Sequence, residues 1–311
     1  MGLKKQQNTR KSNLQNILII LLILISGLFV STYAYSDHVP TQQKYLSKDP
    51  VLLKKLEKYK NITDWIYECK KGDFKKHVTI KEGCIGLLPL GKIDKSKKKL
   101  VVFLHGDRKN DSDYKIKESY PISSAIKDEK KNINFFYLAR PGHKFPGRKR
   151  SVGKETSGQQ KGSWNAVYKK SWDQIRLSAE AIKKLKEHYK PDQLIAIGQS
   201  GGAQAIAITL GKIPGLIDKA ILIGCPCLEG FPDRRNVPWE SPANQIGHID
   251  PKTEIILITG DKDKSTPPES AKEYSKKAKE QGLNVQLHIV KGSHDFKSLK
   301  GRNDIIKEAL K

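Results

Sequence analysis

The residue types best suited to chemistry in this chain are a serine, an aspartate and a histidine, which occur in that order. Ser200 lies in the sequence Gly-Gln-Ser-Gly-Gly, and Asp263 and His294 come later, each shortly after an apolar run. A serine hydroxyl is a weak nucleophile at neutral pH and needs a base to take its proton. Histidine is the usual base, and an aspartate can hold its imidazole in the correct tautomer. Together the three residues predict attack by Ser200 on an acyl carbon.

The sequence around Ser200 predicts a strand, a sharp turn and a helix. Residues 194–197 are apolar and β-capable, and residues 202–210 are rich in good helix formers. The flanking glycines allow a strained backbone and a close approach of helix to strand. A Gly-x-Ser-x-Gly pattern alone arises by chance in roughly one such chain in ten, so a passive serine in a glycine-rich turn is the alternative on local sequence. The order of the elements favours an exposed nucleophile.

Apolar runs alternate with helical patterns along most of the chain. Helices are predicted at residues 119–129, 165–189, 202–211, 268–281 and 303–310, and strands at residues 62–69, 77–80, 85–88, 100–104, 133–139, 194–197, 219–223, 254–259 and 285–290. This alternation predicts an α/β fold: a mostly parallel twisted sheet with helices on both faces and short N-terminal antiparallel strands. Loops that follow parallel strands meet at one edge of the sheet, where ligands bind. Ser200, Asp263 and His294 are therefore expected to lie together.

From about residue 87 to the C-terminus, the chain resembles the α/β-hydrolase superfamily. It looks most like small serine esterases and the catalytic domains of prolyl-oligopeptidase-like enzymes. The resemblance is carried by the Gly-Gln-Ser-Gly-Gly turn, the strand followed by His-Gly at 105–106, the loop 260–267 and the sequence Gly-Ser-His at 292–294. It implies the α/β-hydrolase fold, with the chain order nucleophile, acid, histidine.

The same resemblance implies a role for each reactive residue. Ser200 would be the nucleophile and His294 the base that takes its proton. Asp263 stands at the family position of the acid, and Asp261 is the competing candidate for that role.

Backbone N–H groups near Ser200 are candidates for an oxyanion hole, which needs donors fixed where negative charge develops. Gly201 is one candidate, because it follows the nucleophile and opens a helix. The second donor is expected in the loop after His105, at Gly106 or Asp107. No pair of the remaining histidines has metal-ligand spacing, and the sequence has neither a dinucleotide fingerprint nor a phosphate loop. We therefore expect neither a metal nor a cofactor.

Two loop insertions lie where a substrate is expected to bind. Arg140 begins a loop that runs to residue 163 and carries the basic residues Lys144, Arg148, Lys149, Arg150, Lys154 and Lys161. This loop is interpreted either as a solvated segment or as a flap that receives an anionic part of the substrate. Trp239 lies in the insertion 225–247, as part of a pocket wall or as an ordinary packing residue. Arg140 and Trp239 are thus the candidate substrate contacts.

The N-terminal segment carries a targeting pattern. Four basic residues precede an apolar run at 17–30, and no acidic residue occurs before Asp37. This pattern predicts a signal peptide that ends near residues 32–36, with an uncleaved signal anchor in the membrane as the alternative. Residues 1–36 are assigned to this segment, 37–60 to a linker with a short helix and 61–311 to the catalytic domain. Export is expected either way: periplasmic or secreted, or anchored in the inner membrane with the catalytic domain outside the cytoplasm.

The chain is strongly basic, with 58 lysine and arginine residues against 33 acidic ones and a net charge of +25. Lysines are spread along the sequence and no nucleic-acid reading motif is present, so nucleic acid is not an expected partner. A solvated lysine-rich surface is the simpler interpretation. The alternative is attraction to an anionic envelope surface or to acidic substrates.

The four cysteines are expected to be structural. Cys69 and Cys84 flank a basic turn and can form a disulfide. A bridge between Cys225 and Cys227 would be tight and strained, which favours the reduced form.

These features predict an exported serine hydrolase that cleaves a small-molecule ester or acyl substrate through an acyl-enzyme. A serine peptidase of the prolyl-oligopeptidase type is the alternative, because ester and amide hydrolysis use the same machinery. A third alternative is a catalytically inactive hydrolase fold that serves as a membrane-tethered binding module.

Overall fold

The computed structural model describes residues 69–107, 122–145, 149–153, 172–228 and 241–311. The predicted targeting segment 1–36, the linker 37–60 and Trp239 lie outside these residues. None of the helices in the described ranges is long and apolar enough to cross a membrane.

The described residues form an eight-stranded sheet and a separate antiparallel pair of short strands. The strands of the sheet are β1 (His77–Ile80), β2 (Gly83–Pro89), β3 (Lys99–Leu104), β4 (Ile133–Leu138), β7 (Gln193–Gln199), β8 (Lys219–Ile223), β9 (Glu254–Gly260) and β10 (Asn284–Val290). The separate pair is β5 (Lys144–Phe145) and β6 (Lys149–Arg150). The order of the strands across the sheet is β1-β2-β4-β3-β7-β8-β9-β10. Strand β2 pairs antiparallel with β1 and β4, and the remaining pairs are parallel. The predicted sheet, with antiparallel strands at its N-terminal end, is confirmed. Of the predicted strand at 62–69, only Cys69 lies within the described residues, and it is helical.

Helices cover both faces of the sheet. They are α1 (Ile122–Ala125), α2 (Trp172–Tyr189), α3 (Gly201–Lys212), α4 (Pro268–Glu280) and α5 (Arg302–Leu310). Successive side chains of a strand point to opposite faces. Leu100, Val102 and Leu104 of β3 accordingly pack in one core cluster with α2, α3 and α4, whereas Val101 and Phe103 pack in a second cluster with α1 and α5. The central strands are buried on both sides, as expected for a parallel sheet.

The predicted helix at 119–129 is shorter in the part of the chain that the structure describes. It consists of α1, followed by a 3₁₀ turn at Glu129–Lys131. Ile122, Ala125 and Ile126 are fully buried, but the charged run that follows, 127–131, has no apolar residue to bury. The helix ends because its apolar face ends.

Both cysteine pairs are disulfide-bonded, Cys69 with Cys84 and Cys225 with Cys227. The expectation that the second pair is reduced is therefore wrong. The chain folds back at Pro226, where the N–H of Cys227 donates to the carbonyl of Cys225 at 2.9 Å. The fold brings the two Cα atoms to 5.2 Å, within the span of an ordinary disulfide.

Candidate active site

Ser200 occupies the sharp turn between β7 and α3. Its backbone has φ 49° and ψ −119°, a positive-φ conformation that is uncommon for any residue except glycine. Its N–H donates to the carbonyl of Ile223 in β8 at 2.8 Å, and its carbonyl accepts from the N–H of Gln204 in α3 at 3.0 Å. The strained turn is therefore held from both sides, and it leaves the serine partly exposed.

Glycines beside Ser200 let β7 and α3 approach each other closely. A Cβ at Gly198 would lie 2.5 Å from the backbone nitrogen of Ala203, and a Cβ at Gly202 would lie 2.2 Å from the carbonyl oxygen of Leu104. Both obstacles are backbone atoms, which cannot turn away as a side chain can. Any larger residue at either position would displace α3 and the serine with it.

A chain of hydrogen bonds joins Ser200, His294 and Asp263. The Oγ of Ser200 lies 3.0 Å from Nε2 of His294, and Nδ1 of His294 lies 2.8 Å from Oδ2 of Asp263. An ionised carboxylate can only accept, so Nδ1 carries the proton and donates to Asp263. Nε2 then has its lone pair free to accept the serine proton. The structure thus brings together the three residues that follow β7, β9 and β10.

The side chain of Asp263 is buried, with 1% of its surface exposed, and is held by several donors. Its Oδ1 accepts from the N–H groups of Ser265 at 2.9 Å and Thr266 at 2.8 Å, and Oδ2 accepts from the hydroxyl of Thr266 at 2.7 Å. Burial alone would raise the pKa of Asp263, but the hydrogen bonds from His294 and Thr266 outweigh it, and the pKa lies below the usual value. The carboxylate therefore stays ionised at neutral pH.

The competing acid, Asp261, points elsewhere. It is exposed, and its Oδ1 accepts from the N–H of Gly292 at 2.9 Å. This bond ties the loop after β9 to the loop that carries His294. Of the two aspartates, Asp263 is the one whose carboxylate contacts the imidazole of His294.

Thr266 is a residue of the site that the sequence interpretation missed. Its hydroxyl lies 2.7 Å from Oδ2 of Asp263 and 3.1 Å from Nδ1 of His294. The sequence signal that could have indicated Thr266 is its position three residues after Asp263. An aspartate side chain commonly accepts a hydrogen bond from the backbone N–H of a residue two or three positions later.

The candidate oxyanion donors lie around Ser200. Gly201 is the first residue of α3, and the first N–H groups of a helix have no partner within it. Gly106 packs on the serine from the loop after β3, since a Cβ there would lie 3.2 Å from Cβ of Ser200. Asp107 follows in the same loop. The residues named as donors therefore share one corner of the site.

Of the two candidate substrate contacts, Arg140 and Trp239, the structure describes only Arg140. Trp239 lies outside the described residues. The side chain of Arg140 is 3% exposed, and its Nη1 lies 2.6 Å from Oδ1 of Asp107. The structure thus places Arg140 beneath the loop that follows β3.

Two histidines are buried here: His105, the first residue of this loop, and His143, with ring centroids 4.5 Å apart. Burial lowers the pKa of both, and the neighbouring Arg140 lowers each further. The pKa of His143 falls to about 3, so its imidazole is neutral at any ordinary pH.

Acidification is expected to destabilise the protein through His143. Between its pKa of about 3 in the fold and its ordinary value of about 6.5, the unfolded chain binds more protons, so stability falls as the pH falls. The loss should reach about 2 kcal/mol between pH 7 and pH 5. We expect His143→Asn to flatten the pH dependence of the free energy of unfolding by this amount, measured by denaturant titration. His248→Asn, at an exposed histidine, is the matched control; equal slopes in wild type and His143→Asn would contradict the prediction.

No family model and no curated protein sequence matches the chain. Solved structures do share its fold. Esterase PE8 has a TM-score of 0.53 at 18% identity, over 73% of this chain and 97% of that one. An esterase from Pyrococcus furiosus has a TM-score of 0.51 at 20% identity, over 75% of this chain and 90% of that one. The acylaminoacyl peptidase of Pyrococcus horikoshii has a TM-score of 0.52 at 15% identity, over 73% of this chain but 38% of the peptidase. At these identities the likeness establishes the fold, and the activity has to be argued from the site.

Proposed function

We propose that this chain, which has the α/β-hydrolase fold, is a serine hydrolase that cleaves carboxylic esters. The observation that carries the proposal is the continuous hydrogen-bonded path from Ser200 Oγ through the imidazole of His294 to the buried carboxylate of Asp263. Such a path is what a serine needs in order to act as a nucleophile at neutral pH.

The first half of the reaction forms an acyl-enzyme. Oγ of Ser200 attacks the carbonyl carbon of the ester while its proton passes to Nε2 of His294. The carbonyl oxygen becomes an oxyanion, which accepts from the N–H of Gly201 and from the N–H of Gly106 or Asp107. His294 then gives the proton to the leaving alkoxide as the bond to the acyl carbon breaks, and an alcohol is released.

The second half repeats these steps with water. His294 takes a proton from water, the hydroxide adds to the acyl carbon, and the proton returns to Oγ of Ser200 as the carboxylic acid leaves. Throughout, Asp263 stays ionised and stabilises the imidazolium.

Esters are favoured over amides as substrates on one comparison. The chain spans 97% and 90% of the two esterases it resembles in fold, but only 38% of the acylaminoacyl peptidase. Its likeness in fold to these esterases therefore extends over nearly their whole length. A serine peptidase of the prolyl-oligopeptidase type is the second candidate, since the same machinery acts on amides.

The proposal is tested by treating the purified protein with a fluorophosphonate probe and mapping the adduct by mass spectrometry. Labelling at Ser200 is the expected result, and an unlabelled folded protein would instead support an inactive binding module. A panel of p-nitrophenyl esters and aminoacyl p-nitroanilides then separates the enzyme classes. Turnover of the anilides with little turnover of the esters would overturn the esterase assignment.

The proposal includes export from the cytoplasm, with the targeting pattern at residues 1–36 as its main support. The Cys69–Cys84 and Cys225–Cys227 disulfides also support it, because disulfides persist mainly in oxidising compartments. Fractionation of bacterial cells that express the full chain tests this. Recovery in the cytoplasm, with free thiols, would contradict export.

A further inference from the structure

The segment His105-Gly106-Asp107, here called the oxyanion loop, places a carboxylate close to where the proposed reaction develops negative charge. A Cβ at Gly201 would lie 2.1 Å from Oδ1 of Asp107 and 2.7 Å from Oδ2. The carboxylate therefore packs directly on Gly201, whose N–H is the first oxyanion donor of the proposed mechanism. A carboxylate beside Gly201 whose charge was not balanced would repel the oxyanion, because like charges repel each other more strongly where water is excluded.

Arg140 compensates this charge. Its Nη1 lies 2.6 Å from Oδ1 of Asp107, and the two side chains are 3% and 19% exposed. A pair this close is a charge-assisted hydrogen bond, and a largely buried pair is little screened by salt. The negative charge beside Gly201 is therefore balanced by a fixed positive one.

Arg140 also holds the other end of the oxyanion loop. The same Nη1 donates to the carbonyl of His105 at 3.1 Å, and the backbone N–H of Arg140 donates to Nε2 of His105 at 3.4 Å. Nδ1 of His105 then carries the ring proton and donates to the carbonyl of Gly106 at 2.9 Å. The guanidinium of Arg140 thus bonds to both ends of the three-residue loop, His105 and Asp107, and the neutral imidazole of His105 donates to the carbonyl of Gly106 between them.

We propose that Arg140 is a positioning residue of the oxyanion hole, and this inference rests on the proposed function of Ser200. Arg140 fixes the loop that supplies the second N–H donor, and it neutralises the Asp107 carboxylate beside the first donor. This role differs from the substrate contact that the sequence suggested. To reach a substrate, the guanidinium would have to leave its buried ion pair with Asp107, and breaking a buried ion pair is costly.

The test is Arg140→Met in the full chain, which removes the guanidinium that pairs with Asp107. We expect kcat for a p-nitrophenyl ester to fall by about 10²-fold, comparable to the loss of one oxyanion donor, while KM changes by less than about 3-fold. The double variant Arg140→Met/Asp107→Asn removes both charges and should recover at least about 10-fold of that loss. Rates are normalised to the fraction of Ser200 that fluorophosphonate titrates, so that unfolded protein is not counted.

The control is Arg176→Met, which removes a surface arginine that pairs with Glu82 and Glu180 and should leave kcat unchanged. A kcat for Arg140→Met near that of wild type overturns the proposal. So does a double variant as slow as the single one, because the repulsion between the Asp107 carboxylate and the oxyanion would then have been removed without any gain in kcat.

If Arg140→Met does not fold, the double variant, which removes both charges, is compared with Asp107→Asn. A loss of about 10-fold is expected from the missing bridge to His105, and equal kcat values overturn the proposal. Failure of the proposed function itself looks different, because wild type would then neither bind the probe at Ser200 nor hydrolyse the ester.

Discussion

Replacing Ser200 by alanine is expected to lower ester turnover by about four to six orders of magnitude. Oγ of Ser200 is the atom that would form the acyl bond, and it lies 3.0 Å from the base, Nε2 of His294. Without the hydroxyl, the imidazole has no nucleophile to activate, and the oxyanion donors can assist only direct attack by water. The measurement is kcat for a p-nitrophenyl ester, together with loss of fluorophosphonate labelling.

The Ser200→Ala substitution should leave the fold intact. Ser200 holds its turn through backbone hydrogen bonds to Ile223 and Gln204, which alanine keeps. Circular dichroism and the unfolding midpoint should therefore match those of wild type. Ser96→Ala, at an exposed serine whose hydroxyl bonds only locally to Asp94, is the matched control and should retain full activity. Hydrolysis by purified, folded Ser200→Ala at the wild-type rate would refute the assignment of the nucleophile.

Asp263→Asn is expected to lower kcat by about 10⁴-fold. The amide keeps the size of the side chain but removes the negative charge. It also presents N–H donors, which favour a lone pair on Nδ1 of His294 and therefore the wrong tautomer. The imidazolium that forms during attack would lose its partner at 2.8 Å. The measurement is kcat across pH 6 to 9.

Asp261→Asn is the control for this second prediction. It lies two residues away in the same loop, is exposed, and bonds to the N–H of Gly292 rather than to His294. We expect its kcat to stay within about 2-fold of wild type, as for a surface substitution away from the reacting atoms. If Asp261→Asn were the more damaging change, the acid would be Asp261 and the hydrogen-bond path described for Asp263 would not be the catalytic one.

Much of the fold was readable from the sequence because its signals are local. The apolar run at 254–259 and the helical pattern at 268–281 predict β9 and α4 within two residues, since burial of a strand on both faces leaves a continuous hydrophobic run. The Gly-x-Ser-x-Gly turn was readable for a similar reason. Only glycine fits where a Cβ would meet the backbone of Ala203 or Leu104.

The pairing of charges was not readable, because it depends on contacts between residues far apart in the chain. Arg140 stands at the start of a basic stretch, which predicts a surface cation, whereas its buried guanidinium pairs with Asp107, 33 residues earlier. The number of residues between a basic and an acidic side chain does not indicate whether the two form an ion pair in the folded protein. The Cys225–Cys227 bond was missed for a different reason: its feasibility depends on how the backbone folds back at Pro226.

By itself, the sequence determined which elements form and which reactive residues follow them, since hydrophobic periodicity and turn chemistry act over a few residues. Ser200, Asp263 and His294 were therefore nameable in advance, each in a loop after a strand. Only the tertiary structure decided the geometry among those loops: which aspartate contacts His294, that the hydroxyl of Thr266 lies beside both, and that Arg140 bonds to Asp107 and to the carbonyl of His105. These contacts join strands and loops that are distant in the chain, and packing of the sheet, rather than any local preference, sets their separation.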